Sequence, residues 1–409
     1  MSWKRTSEMD EKVRFVAECL AGLESMTTLC ARYGISRQTG YVLLRRYASE
    51  GVAGLCERSR APLHHGRETA AEVVEKIVKL RREKPHWGPK KLLATLKDGD
   101  AKRKEGEPAQ VWPVHATISS ILQREGLIVP RPERQRSLVV DQPFAAVEAA
   151  NDAWAIDFKG WFETADAVRC DPFTVTDVYS RYLLGVQIMA QRTLPVQAHM
   201  DVLFKEHGVP SAIRSDNGAP FASRGAGGLT RLSVRWAKMG IRLERIQPGK
   251  PQQNGRHERM HRTLKAEACR PPSADAVEQQ RRFDAFRQEY NCERPHEAIG
   301  QRQPFMLYEP SPTPFVEPRG DPDYGQDEVR RVRSDGEIKW NGGLLYISDA
   351  LIGEAVGIAE CEHGHSLVRF AGVLVGLIDR RTGKLARFGA GRPPRTEATP
   401  KISAELSGM

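Results

Sequence analysis

The sequence predicts three structural classes in series: N-terminal all-α helix-turn-helix units, a central α/β core, and a C-terminal small β-barrel. Three observations carry that expectation. The first 130 residues place apolar side chains at helical spacing between serine N-caps and glycine stops. The middle of the chain mixes β-rich apolar runs with helices, without the strict alternation of a doubly wound fold. Beyond residue 327 the chain breaks into short strands at turn dipeptides. A length of 409 residues fits several domains rather than one.

Residues 1–62 read as a helix-turn-helix domain of three helices. Val13, Val16, Ala17 and Leu20 mark the first helix, and residues 25–33 a second, closed by Gly34. Ser36 caps a third that runs to about Ser49 and stops at Gly51. Tyr33-Gly34-Ile35-Ser36 supplies the tight turn, with Ile35 turned inward. Arg37, Gln38, Thr39, Tyr41 and Arg45 are left on the outer side of the third helix as candidate DNA contacts.

Residues 63–130 read as a second helix-turn-helix domain. Its helices cover 70–84, 88–97 with Pro89 in the first turn, and 114–125; a polar insert over 98–110 separates the last two. Thr117 and Ser119 (with Ser120) lie on its candidate reading helix. A non-periodic linker over 131–150 carries Arg131, Arg134 and Arg136.

The core is expected over 151–303. Three apolar runs at 153–158, 173–179 and 182–189 precede a helix at 195–206 and a strand ending at Ser215. A helix at 229–239, a strand at 241–246 and two further helices complete it. A Pro-rich linker is expected over 304–326 and the small barrel over 327–387, with Asp335-Gly336, Asn341-Gly342 and His363-Gly364 as hairpin turns. Residues 388–409 read as a disordered tail.

Composition excludes several classes. Seven scattered cysteines with no C-x-x-C pair argue against a disulfide framework or a zinc knuckle. No apolar run reaches eighteen residues and the start lacks a signal-peptide pattern, so no membrane partner and a cytoplasmic location, in a bacterium and beside the nucleoid, are expected. No phosphate-binding G-x-x-x-x-G-K-[ST] loop occurs. A net charge of +10 points to an anionic partner.

Three carboxylates stand where packing alone does not explain them. Asp157 ends the first core strand, Asp216 follows the fourth directly, and Glu258 lies one turn into the helix opened by Asn254-Gly255. If the first and fourth strands are neighbours, the two aspartates sit side by side with Glu258 above them. Such a cluster repels itself unless a cation neutralises it, and hard oxygen ligands select Mg²⁺ or Mn²⁺. Two such ions about 4 Å apart suit in-line phosphoryl transfer.

Trp154-x-x-Asp157, Ser215-Asp216-Asn217-Gly218-x-x-Phe221 and Pro248-Gly249-x-Pro251-x-x-Asn254-Gly255-x-x-Glu258 resemble the integrase-core DDE transposases of bacterial insertion sequences, relatives of retroviral integrases with an RNase H-like core. The resemblance covers most of the chain. It implies binding of a mobile element's ends, nicking there with two Mg²⁺ (or Mn²⁺), and attack of the freed 3′-hydroxyl on target DNA. It maps catalysis and metal binding onto Asp157, Asp216 and Glu258. Lys265 matches a basic position of the family; nearly two helical turns past Glu258, it shares that residue's face and, with Arg262, could hold a phosphate. The partners implied are double-stranded DNA, both element ends and target, and further copies of the chain, a dimer or higher even number. The interval from Asp216 to Glu258 (258 − 216 = 42) exceeds the usual spacing, and Gly225-Ala226-Gly227-Gly228 suggests a loop insertion there.

Rival readings share these residues. Asp177 and Asp152 compete for the first carboxylate position. Asp177 reads as a turn or ion-pair residue partnered by Arg181, and Asp152 as exposed. His257-Glu258-Arg259-Met260-His261 spells H-E-x-x-H, the zinc-peptidase pattern, but Arg256, Arg259 and Arg262 oppose a zinc ion and no third ligand follows. A catalytically inactive, transposase-derived DNA-binding regulator is the remaining alternative.

Overall fold

The computed structural model describes residues 7–57, 68–102, 110–128, 144–247, 251–361, 365–379 and 381–388. Most of the expected linker over 131–150, the His363-Gly364 turn, Pro248-Gly249 and nearly all of the C-terminal tail lie outside the described residues. The chain divides into two compact units, residues 1–70 and 71–409.

In the first unit, α1 (Glu8–Ala21), α2 (Met26–Arg32) and α3 (Arg37–Glu50) each begin at a serine. The hydroxyls of Ser7, Ser25 and Ser36 accept from the amides of Asp10, Thr28 and Thr39. Each satisfies a helix-end donor that would otherwise be orphaned. Phe15, Val16, Leu29, Cys30, Leu43 and Leu55 form the core. Gly40 lets α3 approach closely: a Cβ there would stand 2.8 Å from the Cys30 sulfur and 3.0 Å from the Phe15 ring.

The second unit starts with α4 (Ala71–Glu83), α5 (Pro89–Ala101) and α6 (His115–Arg124), packed around Ile77, Trp87, Leu92 and Ile118. Helix α5 runs four residues past the expected stop at Lys97, into the polar insert. Asp100 is held by the Trp112 indole N–H at 2.6 Å, which anchors the extra turn that Asp98-Gly99 would not favour alone. Lys84 reaches Glu289 and Glu293 at 3.0 Å each, on the helix described below as α10.

The core comprises β1 (Trp154–Phe158), a two-residue hairpin of β2 (Phe162–Glu163) and β3 (Arg169–Cys170), β4 (Pro172–Asp177), β5 (Leu183–Ile188), α7 (Thr193–His207), β6 (Ala212–Ser215), α8 (Arg231–Lys238), β7 (Arg242–Arg245), α9 (Gly255–Glu267) and α10 (Ala276–Cys292). The main sheet runs β5-β4-β1-β6-β7, with β4 antiparallel to both β1 and β5 and the β1, β6 and β7 neighbours parallel. This is the RNase H-like arrangement. Strand period two assigns the faces. Trp154, Ile156, Phe173 and Val175 join the core built with α7 and α8, while Ala155, Asp157, Thr174 and Thr176 turn the other way, towards α9.

The segment expected as a Pro-rich linker packs on the core instead. Tyr308 stacks on Tyr182 at 4.3 Å, Phe315 joins Phe204, and Ser311 and Thr313 bond the backbone at His207 and Val209. Past a single 3-10 turn at Pro304–Met306 the prolines discourage a longer helix, but Tyr308 and Phe315 supply apolar area that is stabilised by burial.

Beyond it lie β8 (Glu328–Arg331), β9 (Glu337–Trp340), β10 (Gly343–Tyr346), β11 (Ala355–Glu360), β12 (Ser366–Phe370), β13 (Val373–Ile378) and β14 (Leu385–Arg387). They form an antiparallel sheet ordered β14-β13-β12-β11-β8 and a β9–β10 hairpin. Asn341 and Gly342, with φ of 47° and 81°, take the two positive-φ positions of that hairpin's tight turn. This sheet's apolar core is continuous with Leu229, Val234 and Ala237 around α8. Helix α8 therefore buries two faces, Leu232 and Trp236 into the catalytic-core side and Val234 and Ala237 into the C-terminal sheet. The expected loop insertion at Gly225–Gly228 is the joint: the Gly227 amide donates to Phe388 O at 2.7 Å, and Lys238 pairs with Glu354 at 2.8 Å.

Candidate functional site

Asp157 and Asp216 owe their meeting to strand register. Parallel β1 and β6 align Trp154 with Ile213 and Ala155 with Arg214, so two residues further on Asp157 lies level with Asp216. Asp216 is fixed by its own turn. The Gly218 amide donates to Asp216 Oδ1 at 3.1 Å, and a Cβ on Gly218 would sit 3.0 Å from the other carboxylate oxygen, so a larger residue there would push on the carboxylate. Phe221 closes the turn against Phe158 and Phe173.

Burial pushes the Asp157 carboxyl up to about 7, with the charges of Asp216 and Glu258 adding to the rise and the Phe158 amide opposing it. Burial also raises Asp216, against the Gly218 amide. A cation beside these two carboxyls would favour their ionised forms.

Helix α9 brings the third acid. His257 and His261, one turn apart, sink into the sheet, and Glu258 stays exposed. Thr174 Oγ1 lies 2.7 Å from Nε2 of both histidines and donates to the Asp157 carbonyl, while Thr176 Oγ1 meets His257 Nδ1 at 2.9 Å. Asn254 Nδ2 reaches Asp157 Oδ2 at 3.4 Å and His261 Nδ1 stands 4.0 Å from the same oxygen. Burial drives His257 down to about 3 and His261 to about 2, so both rings are neutral.

Asp157, His257 and His261 offer ligand atoms within 4.8 Å of one another, the geometry of a possible ion site. Its donors are already engaged. Both His257 nitrogens face threonine hydroxyls, and a metal there would have to displace Thr174. Glu258 lies off that face, where a zinc-bound water would need it close. The H-E-x-x-H pattern therefore resolves into two anchors and one outward acid.

The competing aspartates take structural roles. Asp177 is fully buried and accepts from the amides of Asn151 (2.8 Å) and Ser180 (2.7 Å) and from the Ser180 hydroxyl (2.6 Å). Its carboxylate partners are these donors rather than an ion pair with Arg181, contrary to expectation; Arg181 contributes its backbone amide, which donates to the Asp177 carbonyl at 3.1 Å. Asp152 is half-buried rather than exposed, and caps the Glu148 and Ala149 amides at 2.8 Å.

Of the candidate DNA contacts, Arg37, Gln38, Thr39, Tyr41 and Arg45 are all exposed on α3. On α6, Thr117 and Ser119 are half-buried and Ser120 is exposed. Arg262 and Lys265 are exposed on α9. Sequence reasoning missed Thr174, Thr176 and Asn254 as the supports of Asp157 and α9. Asn254 was visible in the Pro-x-x-Asn-Gly motif; the threonines carry no signal until register pairs Asp157 with Thr174.

Family models described as an integrase core domain match residues 147–251 and 239–304. A helix-turn-helix domain model matches 11–62 and a homeodomain-like domain model 39–122. An uncharacterized 31.7 kDa protein of insertion element IS407 from Burkholderia multivorans is 27% identical over 254 residues, covering 60% of this chain and 85% of that protein. An uncharacterized 39.2 kDa protein of insertion element IS476 from Xanthomonas euvesicatoria is 30% identical over 180 residues, 43% of this chain and 47% of that protein. The solved catalytic core domain of BIV integrase is 20% identical, with a TM-score of 0.30 over 39% of this chain and 93% of that one. The two integrase-core matches and the relatives encoded by insertion elements support reading the chain as an integrase-core transposase of an insertion sequence.

Proposed function

We propose that the chain nicks DNA at the ends of its element and joins the freed 3′-hydroxyl to target DNA, using Asp157, Asp216 and Glu258. The observation that supports this reading is the register that makes Asp157 and Asp216 neighbours, with the charge of Glu258 felt at Asp157. The donor set fits hard divalent ions: three carboxylates, two of which, Asp157 and Asp216, are shifted upward by burial. Two Mg²⁺ or Mn²⁺ bound there would activate the attacking oxygen and stabilise the leaving one.

The chain's own residues supply position. Thr174 fixes the Asp157 backbone, Asn254 its carboxylate, and Gly218 that of Asp216. Arg262 and Lys265, on the exposed side of α9 with Glu258, are placed to hold the phosphates flanking the scissile bond. Element ends would be read by α3, and two ends held by an even number of copies in the nucleoid.

The test is incubation of the purified chain with labelled element-end DNA and Mg²⁺. Nicked product is expected from wild type, with loss on the order of 10³-fold or more for Asp157→Asn, Asp216→Asn and Glu258→Gln. DNA binding should persist in all three. Full nicking by the two aspartate variants, together with stoichiometric zinc, would sink the assignment.

A further inference from the structure

A group of cations continues round α9 from Arg262. At 100° per residue, Glu258, Arg262 and Lys265 share one edge of the helix, Arg259 lies about 60° beyond Arg262, and Arg256 falls near the opposite side. Arg256, Arg259 and Arg262 line a concavity of about 290 Å³ with Lys91 of α5, Arg181 of the β4–β5 turn, and Arg294 and His296 beyond α10. Arg294 is bound to Glu267 at 2.7 Å. Lys91, Arg181, Arg256 and Arg259 form no ion pair with a carboxylate among the described residues, and Glu297 at the rim is taken by Lys90.

Assembling like charges in a partly desolvated cleft is unfavourable unless an anion enters. The cost is visible. Burial together with Arg256 and Arg259 lowers Arg181 to about 10, and burial together with Arg294 lowers Lys91 to about 8. Nor is Arg181 there by accident. The buried Asp177 ties the turn through Ser180 and Asn151, the Arg181 amide donates to Asp177 O at 3.1 Å, and Arg181, at a left-handed φ of 70°, lines the cleft.

We propose that this cleft seats backbone phosphates of a DNA strand, extending the contact of Arg262 round α9 to Arg259, Arg256, Arg181 and Lys91. The inference rests on the transposase reading above. Arginine forks suit phosphate oxygens, and the cleft lies between the helical module carrying Lys91 and the helix carrying Glu258. A duplex gripped by the first and cut at the second would pass its backbone here.

The experiment uses the full chain and a duplex of element-end sequence. Binding is measured from about 50 to 200 mM salt for wild type and for Arg256→Glu/Arg259→Glu. Each lost phosphate contact should flatten the logarithmic salt slope by about 0.9, so a decrease approaching 2 is expected, with affinity at low salt down ten-fold or more. Lys91 acetylation in wild type, read by mass spectrometry, should be suppressed by the duplex. An unchanged slope, or Lys91 protected by pyrophosphate but not by DNA, would overturn the seat while leaving nicking by wild type intact. If wild type neither binds nor nicks DNA, the transposase reading falls and the seat falls with it.

Discussion

Within five residues, α9 faces two environments that treat polar groups in opposite ways. His257 and His261 are buried, neutral and hydrogen-bonded to Thr174 and Thr176. Glu258 is exposed, and its charge is felt at Asp157. The inner face satisfies every donor it can and holds the helix on the sheet. The outer face leaves a charge unsatisfied until something arrives. Polar residues that complete each other stabilise; polar residues that frustrate each other mark where a ligand is expected.

The sharpest way to break that comparison is to remove one residue from each face. His257→Ala deletes a buried ring and leaves the Thr176 hydroxyl without a ring partner, while Thr174 keeps His261. A loss of about 2–4 kcal/mol of stability is expected in denaturant unfolding. Glu258→Gln should stay within about 0.5 kcal/mol of wild type in the same assay, since its side chain is exposed. Equal losses from both would show that α9 has no functional face.

The frustrated side can be relieved chemically. The Asp157 carboxyl titrates near 3.8 when unfolded and near 7 when folded, so the native state holds the extra proton between those values. Stability then falls as pH rises through that window, and the full penalty stands above about pH 7. Asp157→Asn removes the titration, and should stabilise the metal-free protein by about 1–3 kcal/mol at pH 8 while making little difference below pH 4. Millimolar Mg²⁺ should raise the melting temperature of wild type and not that of the variant. A variant no more stable than wild type at pH 8 would mean that the carboxylates do not strain the fold.

Much of this was legible before the fold. Asp157, Asp216 and Glu258 stand out because each follows a strand or opens a helix with local chemistry of its own, such as Gly218 beneath Asp216. The Ser36 cap located the start of the third helix, because a cap is a local event, and Ser7 and Ser25 cap the first two in the same way. What could not be read were effects of register and docking. Thr174 and Thr176 look like ordinary strand residues, and β14 is three residues long. The stretch 304–326 looks like a linker because prolines suppress local structure, whereas Tyr308 and Phe315 act through distant partners. Arg330, Arg331 and Arg333 stand close together in the sequence, yet pair with Glu328, Asp321 and Asp335.

Helix α3 repeats the two-faced plan on a milder scale, and gives the smallest expected effect. Gly40 and Leu43 are buried against α1 and α2, while Arg37, Gln38, Tyr41 and Arg45 project outward without frustrating one another. A face of this kind would read DNA through individual hydrogen bonds, each contributing modestly. Gln38→Ala should leave stability unchanged and lower the preference for element-end over random DNA by about 1 kcal/mol, with Arg37→Ala at least as costly. Competition binding at fixed salt measures this, because phosphate contacts cancel between the two DNAs. If both variants discriminate as wild type does, reading belongs elsewhere, and α6 with Thr117, Ser119 and the exposed Ser120 becomes the helix to mutate.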